Sequence, residues 1–494
     1  MNTTAFNKLS IWSKDNTLFL LTFLFTIVVV YIFPHLGIPQ LFIKVIFLLL
    51  LLAIFRSKND VFWLAWFFVV INAPGRLFSI GYSSTIYRLP LYRLGPGAAI
   101  GFEELFFLIY LLRFLLKKDK NINIFKRYWT FILIYGFITL FYSFGIGLSS
   151  GNIVTAIRMI IPWFWALILP EFISDSDKLA EAFKLLAPFV FMNFFIQIYT
   201  QITGQYLNDI LSGEIWYNFL GSPEERLVRI TEGFGFTLFC MIMSLFYLCS
   251  EDKRFNKTYL NLIIVTSFII IFISATRGWI VASLILLSSI FFMRGFNFIK
   301  QFTGIIIILT LLLFLLRIIY PPFILQTSLA FQRLTSLKYI IEGNPEVEPT
   351  LGRITVTGPK MMALFRERPL LGFGLSDDYI KNWNIHVGNQ TMLMQGGIIG
   401  YAIWIICYAL NLLTIYLLNR NSFVRSKIGN GGIVFFLALI AIFAIHSSSS
   451  QILGFNGIPL YFHYLLAFII AAANATFVSS INNKKIIISL RINR

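Results

Sequence analysis

Arg277 stands in Ser274-Ala275-Thr276-Arg277-Gly278-Trp279, a very short polar junction between two long apolar runs. An arginine at or inside a membrane costs roughly 2.5–3.5 kcal/mol on insertion scales, so each such residue needs a reason. A planar guanidinium fork suits a diphosphate better than an ammonium does. The plain alternative is an arginine that snorkels to the interface. Arg229 leads Arg229-Ile230-Thr231-Glu232-Gly233-Phe234-Gly235-Phe236 into another apolar run, where a surface pair with Glu225 or Glu232 is the competing role. Arg353, in Leu351-Gly352-Arg353-Ile354-Thr355, is either a ligand contact or a simple surface charge. Arg158, among the apolar residues from Thr155 to Trp165, either faces a polar cavity or snorkels.

His386 occurs in Trp383-Asn384-Ile385-His386-Val387-Gly388-Asn389-Gln390, where a polar stretch gives way to an apolar run. An imidazole there can act as a general base near neutral pH, or it can cap the helix beginning near Asn389. His35, His446 and His463 read as interfacial or packing residues. Glu103 and Glu104 open a mostly apolar helix; carboxylates in that setting serve as ion or proton sites, or neutralise Arg88 or Arg93. Asp175-Ser176-Asp177 has the form of a metal-binding pair but falls in a short connector, which makes it a solvated turn. No metal and no cofactor is expected.

The elements that must position these residues follow from composition. Of 494 residues, 58% are hydrophobic, 17% aromatic and only 13% charged, which a water-facing surface does not accommodate. Lipid is the solvent, and a bilayer core needs roughly 20 apolar residues per helix. The three cysteines, Cys240, Cys249 and Cys407, lie in apolar runs without metal-type spacing. The first apolar run lacks a small-residue cleavage site and reads as a retained helix. The formal net charge of +18 sits mainly in connectors: Lys117 to Arg127, Lys253 to Lys257, Arg420 to Lys427, and Lys484 with Lys485. That distribution is the positive-inside pattern rather than a nucleic-acid surface.

An all-α, polytopic transmembrane bundle follows, a single integral membrane domain over 1–494. Taking connectors as punctuation gives about fourteen spans, near 17–34, 38–55, 61–73, 98–116, 128–147, 152–170, 183–203, 234–249, 258–275, 278–293, 302–320, 389–417, 430–447 and 458–478. The charge bias puts both termini in the cytoplasm. Three longer segments are then outside: 74–97, 204–233 and 321–388. The last, between the eleventh and twelfth spans, is the longest polar stretch and carries short helices. Pro359 to Arg366 is expected to form one of them on the membrane surface, with Met361, Met362, Leu364 and Phe365 as its apolar positions, and Pro369 to Gly374 to end it.

With these pieces assembled, the chain resembles the O-antigen ligase and polymerase family of bacterial membrane glycosyltransferases over roughly 229–410. The resemblance rests on the order of Arg229 to Phe236, Thr276-Arg277-Gly278, the long outer loop, Arg366 to Gly374, His386 to Asn389, and Leu393-Met394-Gln395-Gly396-Gly397-Ile398-Ile399-Gly400. One departure is plain: the family often has histidine directly before the asparagine, whereas Gly388 precedes Asn389 here.

The resemblance implies a metal-independent transferase of the cytoplasmic membrane, active on its outer face. Its donor would be a polyprenyl-diphosphate-linked oligosaccharide, and a chain-length regulator is a conceivable protein partner. Charge growing on the departing diphosphate calls for preorganised cations, with Arg277 and Arg229 first, Arg353 third and Arg158 behind them. His386 would accept the acceptor's proton, with Glu103 or Glu104 in reserve. Polymerisation of repeat units leads. The alternatives are ligation of finished glycan to a lipid acceptor, a flippase in which Glu103, Glu104 and Arg158 line the route, and a scaffold membrane protein.

Overall fold

The structure is a computed structural model describing residues 14–78, 89–95, 98–213, 232–250, 252–294, isolated positions between 303 and 328, 356–384, 386–448, 450–457 and 460–481. Among them the chain is almost wholly helical. Six helices are long and apolar enough to cross a membrane: Lys14–His35, Lys126–Gly145, Ser150–Phe172, Ser176–Thr203, Gly388–Arg420 and Leu460–Ser480. A seventh is formed if the bent pair Ser422–Ile428 and Gly432–Ser448 is taken as one span. Shorter apolar helices, Asp60–Ile71, Phe234–Cys249, Lys257–Ile273 and the run from Arg277, pack among them. The expected span at 302–320 lies mostly outside the described residues.

Lipid-type exposure accompanies this inventory. Leu41, Phe141 and Phe195 are each about 70% exposed, a placement that water would penalise and hydrocarbon does not. Aromatic side chains fill the interior. Phe67 stacks on Phe106 at 3.9 Å and Phe68 on Phe468 at 4.7 Å. Leu460–Ser480 is the central post, buried on all sides from Phe462 to Phe477.

One expectation needs correction. Residues 98–101 are not helical: Ala98–Gly101 pairs antiparallel with Leu91–Gly95, and the helix starts only at Phe102. Glycine at 95, 97 and 101 and Pro96 favour a turn and a strand end over a first helical turn. The predicted span 152–170 is present as Ser150–Phe172, with a 3₁₀ turn at Ile161–Phe164 between Ile153–Ile160 and Trp165–Phe172, because Pro162 removes a backbone donor.

Helix ends gather at two opposite ends of the bundle. At one, Lys117 pairs with Glu171 at 2.9 Å, Arg113 with Asp60 at 2.7 Å and Arg254 with Asp177 at 2.7 Å. Asp175 there caps Ser176–Thr203 by accepting from the amides of Asp177 and Lys178, which gives Asp175-Ser176-Asp177 a structural role. At the other end His35 donates to the Leu211 carbonyl at 2.7 Å, and the Gly235 amide donates to Asn72 Oδ1 at 2.6 Å. In the part of 321–388 that is described, two short helices, Gly358–Glu367 and Asp377–Asn382, lie at this second end.

Candidate functional site

The junction before Arg277 is built tightly. Ala275 has φ +52°, the left-handed conformation that costs an L-residue roughly 1–2 kcal/mol. It lets the chain leave Lys257–Ile273 and enter the next helix within three residues. Ser274 Oγ donates to the Ile271 carbonyl at 2.6 Å, and the Trp279 and Ile280 amides both donate to the Thr276 carbonyl at 3.1 Å. Ser274, Ala275 and Thr276 are buried, while Arg277 is half-buried at the first helical position, where the aligned peptide dipoles favour an anion. A strained, buried non-glycine at a polar junction is the kind of backbone that functional sites retain.

The helix that follows the Arg229 motif ends up against this junction. Gly233, at φ +81°, packs on Asn193 with no room for a β-carbon. Asn193 is held by donating to Thr237 Oγ1 at 3.0 Å. Asn72 Oδ1 accepts from Gly235 and also from Phe236 at 3.3 Å, filling the orphan donors of a helix start. Phe234 then meets Trp279 edge-on at 5.0 Å, and Trp279 lies 5.9 Å from Phe462 at the start of the central helix. Arg229 and Arg353 lie outside the described residues.

The two glycine-rich motifs pair with each other. Phe373 and Gly374 donate to the carbonyls of Met394 and Gln395 at 2.9 and 2.7 Å; Ile398 and Ile399 donate back to Pro369 and Leu370 at 2.8 and 3.2 Å. Gly397, at φ +59° and ψ −162°, breaks the helix Gly388–Arg420 to admit the turn. Gln395 clasps the backbone of Phe455 from both amide atoms, and Tyr379 OH donates to the same carbonyl at 2.7 Å. Thus Pro369 to Gly374 ends its helix as expected, and it also anchors into the next.

His386 is exposed at the same end, its amide donating to Asn384 Oδ1 at 2.9 Å. No side chain caps the helix it precedes, which begins at Gly388. Asn389 is fixed at both amide atoms, donating to Ser447 Oγ at 3.2 Å and accepting from Tyr401 OH at 3.3 Å. Gly388 abuts the ring and carbonyl of His446, leaving no space for a β-carbon. His446 is buried, and its Nδ1 accepts from the Ile452 and Leu453 amides at 3.0 and 3.2 Å, so Nε2 carries the proton. His446 is thus a packing residue, as its sequence setting suggested, but its partner Gly388 is 58 positions away and no local signal connects them. Trp383, three residues before His386, packs on Gly457.

Glu104 and Arg158 come together. Arg158 Nε is in a short ion pair with Glu104 Oε1, its Nη2 donates to Oε2 at 3.2 Å and to the Ala99 carbonyl, and Glu104 also accepts from the Gly101 amide at 2.6 Å. Among the described residues the partner of Glu104 is therefore Arg158 and not Arg93, while Arg88 lies outside them. Glu103 sits beside it in the first turn of the same helix.

No protein-family model matches the chain, and no curated protein matches it.

Proposed function

We propose that the protein joins polyprenyl-diphosphate-linked oligosaccharide repeat units into a surface polysaccharide, on the outer face of a bacterial cytoplasmic membrane. The bundle end rich in Lys and Arg faces the cytoplasm by the positive-inside rule, with both termini on that side and about fourteen crossings. Arg277 then belongs to the outer end, where nucleotide sugars are absent and a lipid diphosphate is the available activated group.

The observation that carries the reading is the buried, strained turn that fixes Arg277 at a helix start, with the helix of the Arg229 motif packed against it through Phe234 and Trp279. In the reaction an acceptor hydroxyl attacks the anomeric carbon as the bond from that carbon to the phosphate oxygen breaks. The diphosphate leaves with the electron pair, and Arg277 with Arg229 balances the growing charge in a low-dielectric cleft. The hydroxyl proton passes to His386, which is exposed to receive it. Glu104, already engaged by Arg158, is the poorer base, and Glu103 stays in reserve.

The test is incubation of the purified full chain with a defined polyprenyl-diphosphate oligosaccharide, reading product length. Stepwise longer lipid-linked chains support the proposal. Transfer of intact glycan to a second lipid would make the protein a ligase, and movement across vesicles without any new bond would make it a flippase.

A further inference from the structure

At the basic end of the bundle, opposite Arg277, two cavities of about 480 and 470 Å³ adjoin, sharing Tyr247, Ser250 and Asp252 in their walls. Lys427 stands on the first, and Lys253, Lys257 and Arg425 stand on the second. All four are exposed, and among the described residues none has an ion-pair partner. Arg254 is different, being shared by Asp177 at 2.7 Å and Asp252 at 3.1 Å. That trio leaves one surplus negative charge against four cations; Glu251 lies outside the described residues.

Two elements supply these cations, the 250–257 connector and the helix Ser422–Ile428. The latter is bent by 91° from Gly432–Ser448, so it runs across the end of the bundle. Its Phe423 lines the first cavity and is partly exposed, and Leu413 and Leu417 near the end of the preceding helix are about half exposed. The cations thus rim a pocket whose outer flank is apolar and faces the same surroundings as the crossing helices.

We infer that this pocket binds the headgroup of an anionic phospholipid, with Lys253, Lys257, Arg425 and Lys427 holding the phosphate and Phe423 and Leu417 lying along the acyl chains. Cationic pockets between helices at the cytoplasmic boundary recognise such headgroups. A soluble phosphate would satisfy the cations equally, but it would leave the apolar flank unused, which favours the lipid-borne group. The inference does not depend on the glycan-joining reading, because it concerns the other end of the bundle.

The test is native mass spectrometry of the full chain with phosphatidylglycerol, phosphatidylcholine and glycerol 3-phosphate. The wild type is expected to retain phosphatidylglycerol selectively. Apparent affinity should fall by about fivefold per cation removed in K253Q/K257Q and in R425Q/K427Q, and stay unchanged in K118Q/K126Q, which removes equal charge at the same end. Equal retention of the two phospholipids by the wild type overturns the inference, and so does wild-type affinity in both double variants. Displacement of the lipid by equimolar glycerol 3-phosphate overturns the lipid assignment in favour of a free-phosphate site. The wild-type selectivity arm decides the matter even if a variant does not fold.

Discussion

The rings of Phe234 and Trp279 meet edge-on at 5.0 Å, tying the first turn of Phe234–Cys249 to the first turn of the helix that Arg277 opens. Two sequence motifs about 45 positions apart are thereby held at one level of the bundle, and the contact is aromatic, so it survives in a medium where the hydrophobic effect is weak.

Ala275 is the hinge of that arrangement. Ala275→Gly should raise stability by about 1 kcal/mol, because glycine adopts φ +52° without the β-carbon penalty. Ala275→Val should lower it by about 2–3 kcal/mol through clash at a buried, left-handed site. Thermal unfolding of the two variants in detergent checks the sign of each; a neutral valine would mean that the turn is slack.

Gly372→Ala and Gly397→Ala should each destabilise by about 2 kcal/mol or more, since both residues have positive φ and both would drive a β-carbon into the other's strand of the paired turn. Limited tryptic proteolysis at Arg366 reads this directly: cleavage should accelerate in the variants if the turn leaves its seat on Met394 to Ile399. Unchanged cleavage would show that the pairing does not hold the segment.

These two cases mark how far the sequence could be read. The turn at Pro369 to Gly374 was legible because proline and two glycines stop a helix locally. Its seat was not, because Gly397 lies inside an apolar run whose helical break is imposed by residues over twenty positions earlier. The apolar runs announced their helices for the same local reason, whereas the hairpin at 91–101 depends on a cross-strand pairing that no short window contains. Arg277 stood out as a charge between apolar runs. The left-handed Ala275 beside it did not, since alanine gives no sign of positive φ, and His446 became relevant only when Gly388 was seen against it.

Glu104→Gln should leave product formation within about tenfold of wild type while lowering stability by about 1 kcal/mol, the scale of a partly exposed ion pair. Glu104→Gln with Arg158→Gln together should be no worse than either alone, as expected of a coupled pair. Complete loss of product in a folded Glu104→Gln protein would make Glu104 the base instead of His386.

Asp377 lies outside the helices read as spans, and hydrogen bonds from the Asn152 side chain at 2.9 Å and the Ser149 amide at 3.0 Å hold its carboxyl below the usual range. A depressed folded-state pKa contributes stability above the unfolded value of about 4. That contribution is lost as pH falls through the lower, folded value. Protection factors across 372–384, with the intrinsic pH dependence of amide exchange divided out, should therefore fall on acidification through that window in the wild type and stay constant there in Asp377→Asn.

The central claim is that Arg277 stabilises a departing diphosphate, and the direct measurement is the rate at which purified Arg277→Ala and Arg277→Lys proteins elongate a polyprenyl-diphosphate oligosaccharide, alongside their thermal unfolding. Loss of one preorganised charge-stabilising group costs about 10²–10³-fold, so alanine should fall by at least that much and lysine should lie between, with unfolding temperatures close to wild type. Elongation at the wild-type rate in a folded Arg277→Ala protein would contradict the account.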